Sequence, residues 1–340
     1  MSEGLRIDFL QDPDTSSDFP PDHLVVKGVQ SERLEAFIPA WLEEGVIGKI
    51  DASEIPPSYF SRMFTVPKDE GQWRPIIDLS QLNLLIKKKY FHMEDLKTVA
   101  KCIGPGLWGV KLDLKNAYFH VPLASEIWGL FSFAIKRAGR PTELFFFKRL
   151  PFGLTTAPWA FSRVIKPLKG LLRLENIQIT SYLDDFLILA HSYEEAMDHT
   201  SKVITLLQDY GFQINWKKTS LAPQTRLEYL GVILDLRNQT FSLPEDKVQK
   251  VLEFCKKGQR FSVLTRRDLE KLVGFLNFAA QYLKLGKLLI KPIQRWMNSH
   301  TTTMHRDSLV PIDKTLKDAL LPWAVPEFLH CPIPIREMCP

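Results

Sequence analysis

Residues 177–190 read IQITSYLDDFLILA, and the acidic pair Asp184 and Asp185 stands between two segments that otherwise want to be buried. Burying an unpaired carboxylate is costly and two adjacent ones repel each other, so either a cation compensates them or solvent reaches them. The β-branched and aromatic flanks favour strands, which puts the acids where one strand turns into the next. Two readings of that turn stay open. Asp-Asp is ordinary turn chemistry that water satisfies. Equally, carboxylate oxygens are what hard Mg²⁺ or Mn²⁺ ions take, usually with a further carboxylate from elsewhere.

Asp113 is the candidate for that further carboxylate, at the end of an apolar strand-like run in VKLDLKNAYF. Alone it reads as a strand-end cap or turn residue. A strand-end Asp and an Asp-Asp hairpin, separated by a strand and a helix, also suit antiparallel two-metal phosphoryl transfer. There, ions about 3.5–4 Å apart activate the attacking hydroxyl and stabilise the leaving oxygens.

A chain of 340 residues predicts two or three subdomains. No apolar run approaches the roughly eighteen residues of a membrane span. The first residues lack a basic start followed by an apolar stretch, so a non-secreted, nucleocytoplasmic protein with no membrane partner is expected. Cys102, Cys255, Cys331 and Cys339 form no CxxC pair, which argues against structural zinc and a disulfide framework. The net charge is +5, yet residues 1–22 carry six acids against Arg6, so that segment is −5 and residues 23–340 hold +10. A basic, aromatic-rich body suits a polyanionic partner.

Along the chain, LEAFIPAWLEEG predicts a helix stopping at Gly45, and FTVPKDEGQWRPII predicts a hairpin turning between Lys68 and Gln72. A helix in HMEDLKTVAKCI, strands in the Phe-rich 129–150, a turn at LPFGLTTAP and a helix from Trp159 follow. EEAMDHTSKVITLLQDYG reads as a helix, FQIN and EYLGVILD as strands. Beyond about residue 240 the pattern is helical, with Thr265 and Asp268 opening one helix in a capping-box-like start. The last thirty residues, rich in proline and without a period, read as a tail or truncated linker.

The order VKLDLKNAYFHVPL, LPFGLTTAPWAF, YLDD, GFQINWKKTSLAP and EYLGVILD, with FTVPKDEGQWRPIIDLSQLN upstream, resembles the reverse transcriptase family. Its YxDD turn is matched by Tyr182, Leu183, Asp184 and Asp185, and the likeness runs from about Pro57 to Pro244. The wording AYFHVPL, LPFGL and EYLGV is most similar to DIRS-type retrotransposons, with gypsy-like elements the nearest rival. The resemblance implies an α+β right-hand polymerase: fingers, a palm of antiparallel sheet packed on helices, and a helical thumb. Its parts would be a disordered acidic tail at 1–22, fingers with the start of the palm at 23–112, and palm at 113–240 with a fingers insertion near 125–150. A thumb or connection at 241–310 and a tail or truncated linker at 311–340 complete it.

The same resemblance implies roles. Asp113, Asp184 and Asp185 correspond to the metal-binding catalytic carboxylates, holding two Mg²⁺ ions with Mn²⁺ as substitute. Lys68 and Arg74 match triphosphate contacts. Asn116 and Ala117 match backbone near the incoming nucleotide, and Tyr118 matches the gate that excludes a ribose 2′-hydroxyl. Phe152 stands where retroviral enzymes carry Gln, leaving packing or stacking, while Gly153 and Pro158 shape the turn. Lys218 matches the lysine that protonates pyrophosphate, with Lys217 as a register alternative. Tyr229, Leu230 and Gly231 resemble the primer grip, and Lys284, Lys287, Lys291 and Arg295 a thumb face or simply a solvated one. The implied activity is RNA-directed DNA polymerisation from dNTPs on a primed RNA or DNA template. RNase H and recombinase functions would be supplied elsewhere, and no oligomeric state follows. The contrasting expectation is a catalytically silent element fragment that binds nucleic acid.

Overall fold

The computed structural model describes residues 3–68 and 71–338. Asp69 and Glu70 of the expected hairpin turn, and Cys339, lie outside the described residues. The strands are β1 (Val25–Val26), β2 (Ile47–Ile50), β3 (Met63–Pro67), β4 (Trp73–Ile77), β5 (Trp108–Asp113), β6 (Ser132–Ile135), β7 (Glu143–Phe147), β8 (Gln178–Tyr182), β9 (Asp185–Ala190), β10 (Ser220–Gln224), β11 (Arg226–Tyr229), β12 (Val232–Asp235), β13 (Thr240–Ser242), β14 (Val263–Thr265), β15 (Leu309–Pro311) and β16 (Ile333–Pro334). The helices are α1 (Val29–Glu35), α2 (Ile38–Glu43), α3 (Ser80–Leu84), α4 (Leu96–Cys102), α5 (Ala157–Leu174), α6 (Tyr193–Asp209), α7 (Glu245–Arg260), α8 (Arg266–Ala279), α9 (Gly286–Thr301), α10 (Lys314–Leu320) and α11 (Pro326–Leu329). They form two compact units, one of Met1–Met93, Asp113–Glu175 and Val203–Asn215, the other of Glu94–Leu112, Asn176–Lys202 and Trp216–Pro340.

In the first unit, β1-β6-β7-β2 form a sheet, with β1 parallel to β6 and the other pairs antiparallel. The Phe-rich run makes β6 and β7, whose Phe133 stacks on Phe145 with ring centroids 5.4 Å apart. The predicted helix over 32–44 is instead two, α1 and α2. Pro39 supplies the reason: it has no N–H for a continuing helix and is tolerated in the first turn of a new one. β3 and β4 pair as expected, from Met63↔Ile77 to Pro67↔Trp73. FQIN forms no strand; only Ile214 bridges, to Leu114.

The acidic N-terminal segment, read as a solvated tail, lies on this unit. Leu5 N–H donates to the Pro122 carbonyl at 2.7 Å and Leu10 N–H to the Leu85 carbonyl at 2.7 Å. Ser16 and Ser58 exchange two backbone hydrogen bonds. Two of its charges find partners on the same unit, Asp8 in Lys89 and Arg6 in Glu126. Composition cannot show that an acidic strand has basic and backbone partners elsewhere in the chain.

The second unit holds one sheet of order β10-β5-β9-β8 and another of order β11-β12-β13-β16, with α7–α11. A single apolar core joins Leu187 and Leu189 of β9, Tyr229 and Leu234 of the second sheet, and Leu269, Leu272 and Leu276 of α8. Thr265 caps α8 by accepting from Asp268 N–H at 3.1 Å. Residues 311–338, expected as a tail or linker, fold here: Leu316, Leu320, Trp323, Leu329 and Ile333 are all buried. Pro322 and Pro326 open short helical turns, where a missing N–H costs nothing, so the prolines punctuate structure rather than prevent it.

Candidate active site

The β8–β9 hairpin is tight. Pairing runs without a slip from Gln178↔Leu189 to Tyr182↔Asp185, so Leu183 and Asp184 are the two-residue turn and Asp185 begins β9. Leu183 takes φ +54°, left-handed backbone that costs a non-glycine residue roughly 1–2 kcal/mol. That cost is carried by the flanking strand: Phe186, Leu187, Ile188 and Leu189 are essentially inaccessible. On the edge strand, Ser181 N–H donates to Glu94 Oε2 at 2.9 Å, and Gln178 Nε2 to the Cys102 carbonyl at 2.6 Å. The segment around α4 thereby braces β8, and Asp95 caps that helix by accepting from Thr98 N–H at 3.0 Å.

A cation does meet Asp185, and it is Lys111. Its Nζ lies 3.2 Å from Asp185 Oδ1, both side chains being about one-quarter exposed. Behind the same residue, the Tyr229 hydroxyl donates to the Asp185 carbonyl at 3.1 Å. Tyr229 is fully buried, and burial first, then the Asp185 and Glu94 carboxylates, push its phenol well above the usual range. It therefore stays a neutral donor that fixes the start of β9.

Asp113 ends β5 and is 4% exposed. Its Oδ1 accepts from Asn215 Nδ2 at 2.7 Å, while Asn215 N–H donates to the Asp113 carbonyl at 2.8 Å. Lys115 N–H donates to the Gln213 carbonyl at 2.8 Å beyond the Leu114↔Ile214 bridge. The segment Gln213–Asn215 thus runs alongside the chain just after β5 and presents the Asn215 amide to the carboxylate.

Also in the first unit, Asn116 has φ +50° and precedes a 3₁₀ turn, Ala117–His120, that carries Tyr118. The Tyr118 ring meets Phe152 at 5.0 Å and Phe161 at 5.9 Å between centroids. Phe152 also meets Phe119, at 5.3 Å between centroids, and is still 40% exposed. Asn83 of α3 grips the LPFGL turn from both sides: Nδ2 donates to the Gly153 carbonyl at 2.9 Å and Oδ1 accepts from Thr155 N–H at 2.9 Å. Gly153 has φ +95°, and an added Cβ would sit 3.1 Å from the Ile77 carbonyl oxygen. Lys68 and Arg74 are exposed at the turn end of the β3–β4 hairpin, where the Arg33 guanidinium lies 3.5 Å above Trp73.

In the second unit, Tyr229 pairs with Val232, which makes Leu230 and Gly231 a two-residue hairpin turn. Both have positive φ, +50° and +78°, the twist that two-residue hairpins favour and that Gly accepts without cost. A cleft of about 550 Å³ is lined by Asp185, Leu230, Gly231, Lys247, Lys271, Gly274, Phe275 and Phe278. The structure so brings Asp185 and the Tyr229–Gly231 turn together, beside basic residues of α7 and α8. Lys218 is exposed in the turn before β10. Lys284, Lys287, Lys291 and Arg295 are exposed along and just before α9.

Among the described residues no three His, Cys, Asp or Glu side chains stand together as a ready-made metal cluster. The donor chemistry nevertheless fits a hard divalent cation, being carboxylate oxygen throughout, and the ammonium on Asp185 is a cation already held by one of these oxygens. Lys111, Asn215, Asn83 and Glu94 were not singled out by sequence. The available signal was alternation along β5, which puts Lys111 on the Asp113 face of the strand.

The family described as reverse transcriptase (RNA-dependent DNA polymerase) matches residues 66–234. The Pro-Pol polyprotein of Simian foamy virus type 1 is 24% identical over 260 residues, 76% of this chain and 21% of that protein. Protein P of Duck hepatitis B virus is 24% identical over 246 residues, 70% of this chain and 30% of that protein. The transposon Tf2-3 polyprotein of Schizosaccharomyces pombe is 24% identical over 269 residues, 77% and 19% respectively. The chain thus spans between 19% and 30% of these relatives' length. A foamy viral protease-reverse transcriptase in complex with RNA/DNA hybrid has the same fold, with TM-score 0.70 at 17% identity over 93% of this chain and 38% of that one. The form of that protein in complex with double-stranded DNA gives 0.67 at 18% identity over 92% and 53%. In fold and in sequence likeness, this α+β chain is reverse-transcriptase-like, of the kind seen in retroviral and retroelement polyproteins.

Proposed function

We propose that the chain is the RNA-directed DNA polymerase core of a retrotransposon, most similar to the DIRS type, extending a primer 3′-hydroxyl with dNTPs. The observation that carries this reading is the β8–β9 hairpin within a reverse-transcriptase-like fold. It holds Leu183 and Asp184 of YLDD in a strained two-residue turn, between a buried strand and an edge strand, with the Asp185 carbonyl anchored by the Tyr229 hydroxyl. The first unit would contribute fingers and the Asp113 and Tyr118 end of the palm; residues 245–301, with α7 to α9, would serve as thumb.

Asp113, Asp184 and Asp185 would hold Mg²⁺ or Mn²⁺, which when bound supplies activation of the 3′-hydroxyl and stabilisation of the departing pyrophosphate. Lys68 and Arg74 would neutralise the triphosphate. Tyr118, backed by Phe152 and Phe161, would fill the space of a ribose 2′-hydroxyl and so select deoxynucleotides. Lys218 Nζ would give its proton to the pyrophosphate oxygen. The Tyr229–Gly231 turn would position the primer end, and the exposed cations of α9 would meet duplex phosphates.

The test is primer extension on RNA and DNA templates with Mg²⁺ or Mn²⁺, comparing the chain with Asp184→Ala. Incorporation that vanishes in the variant supports the proposal. Binding of primer-template without incorporation under either metal sinks it, and leaves a nucleic-acid-binding element fragment.

A further inference from the structure

Lys111 has no role in the reading above, yet it makes the closest charged contact to one of the proposed ligands, 3.2 Å from Nζ to Asp185 Oδ1. It lies on β5 with its backbone opposite Ser220 of β10, and sheet order places β9, which Asp185 begins, on the other side of β5. Both side chains are about one-quarter exposed, so water screens the pair only in part and the ammonium is not tied up in a closed interior. The Asp185 backbone is held in place, because its carbonyl accepts from the buried Tyr229 hydroxyl. From that fixed Cα the short aspartate side chain reaches less space than the long lysine stem, so the ammonium is the partner with more freedom to move.

We infer that Lys111 is a positioning residue that competes with the divalent cation for Asp185. It rests on the proposed metal role of that aspartate. In the metal-free chain the ammonium neutralises Asp185 and keeps it oriented toward β5. When a divalent ion takes the same oxygen, a unit positive charge is left close to a double one, and the lysine head must swing out toward solvent. The pair sets a threshold: it lowers affinity for metal at Asp185 while preventing repulsion between the adjacent carboxylates from loosening the hairpin.

The experiment is direct Mn²⁺ binding to the chain without nucleic acid or nucleotide, by calorimetry and by the loss of the free-ion electron paramagnetic resonance signal. Mg²⁺ is then read by displacement. Lys111→Met keeps the stem and removes the charge; it should tighten Mn²⁺ roughly three- to tenfold, as expected for removing one partly screened charge. Lys111→Arg keeps the charge and should stay within about twofold of the parent on the same grounds. In an Asp185→Asn background, Lys111→Met should no longer tighten binding, since the cycle isolates the pair. Equal affinity in parent and Lys111→Met, weaker binding in Lys111→Met, or equal tightening by Arg and Met overturns this inference alone. A parent chain that binds no Mn²⁺ overturns the metal reading and this inference together.

Discussion

Asn215 holds Asp113 at two points, its side-chain amide 2.7 Å from Oδ1 and its backbone N–H 2.8 Å from the Asp113 carbonyl. The backbone bond survives substitution and the amide does not. Asn215→Leu should therefore cost about 1–3 kcal/mol, the usual price of taking a donor from a buried polar group. Because the same carboxylate is a proposed ligand, primer extension should also fall roughly ten- to a hundredfold, the range seen when a ligand loses its supporting hydrogen bond. Denaturant unfolding and metal titration of the activity check the two effects separately.

Leu183 supplies a second test. Glycine at this position relieves the left-handed strain but adds freedom to the unfolded chain, so Leu183→Gly should lie within about 1 kcal/mol of the parent. Leu183→Val cannot relieve it and should be about 1–2 kcal/mol less stable than the Gly variant. Equilibrium unfolding of the three proteins decides, and equal stability for Gly and Val would remove the claim of strain.

Tyr118 packs on Phe152 and Phe161, so the ring rather than its hydroxyl is the proposed gate. Tyr118→Ala should raise ribonucleotide use relative to deoxynucleotide by roughly ten- to a hundredfold, a scale set by opening a side-chain-sized space in a pocket. Tyr118→Phe should keep the parent selectivity. Single-nucleotide incorporation with matched ribo- and deoxynucleotides reads the ratio directly.

Alkaline pH should unfold the second unit for an identifiable reason. Burial pushes the Cys255 thiol from 9.0 up to about 12, and burial with the Asp95 carboxylate pushes Tyr282 from 10.0 up to about 12. Tyr229 shifts the same way. A raised folded value means that the unfolded chain loses its proton first, so stability is intact below pH 9 and falls as pH rises toward 12. Cys255→Ala should flatten the first part of that decline in unfolding curves measured from pH 8 to pH 11, after allowing for the uniform cost of the small cavity.

Much of the local architecture was legible. The hairpin at YLDD, the strand ending in Asp113, the β3–β4 pair and the Thr265 cap all follow from short-range rules of propensity, turn chemistry and capping. Proline misled in two places for opposite reasons. Pro39 broke a helix whose apolar period ran through it, whereas Pro322 and Pro326 opened helical turns in a segment taken for a tail. Positional meaning, N-terminal turn against helix interior, separates the two cases.

The amino-acid sequence by itself determined that the two acids would sit at a turn between buried strands and that either a cation or solvent would have to satisfy them. It also placed Tyr118, Phe152 and Tyr229–Gly231 in recognisable motifs, but EYLGVILD, read as one strand, is β11 and β12 joined by the Leu230–Gly231 turn. Only the tertiary structure decided that the partner of Asp185 is Lys111, that Asn215 holds Asp113, that Asn83 clasps the Gly153 turn, and that Asp8 spends its charge on Lys89. These partners are far apart along the chain, and a side chain's compensating group is chosen by which strands and loops become neighbours. Propensity and periodicity describe one element at a time, so they state that a buried charge must be satisfied without naming what satisfies it.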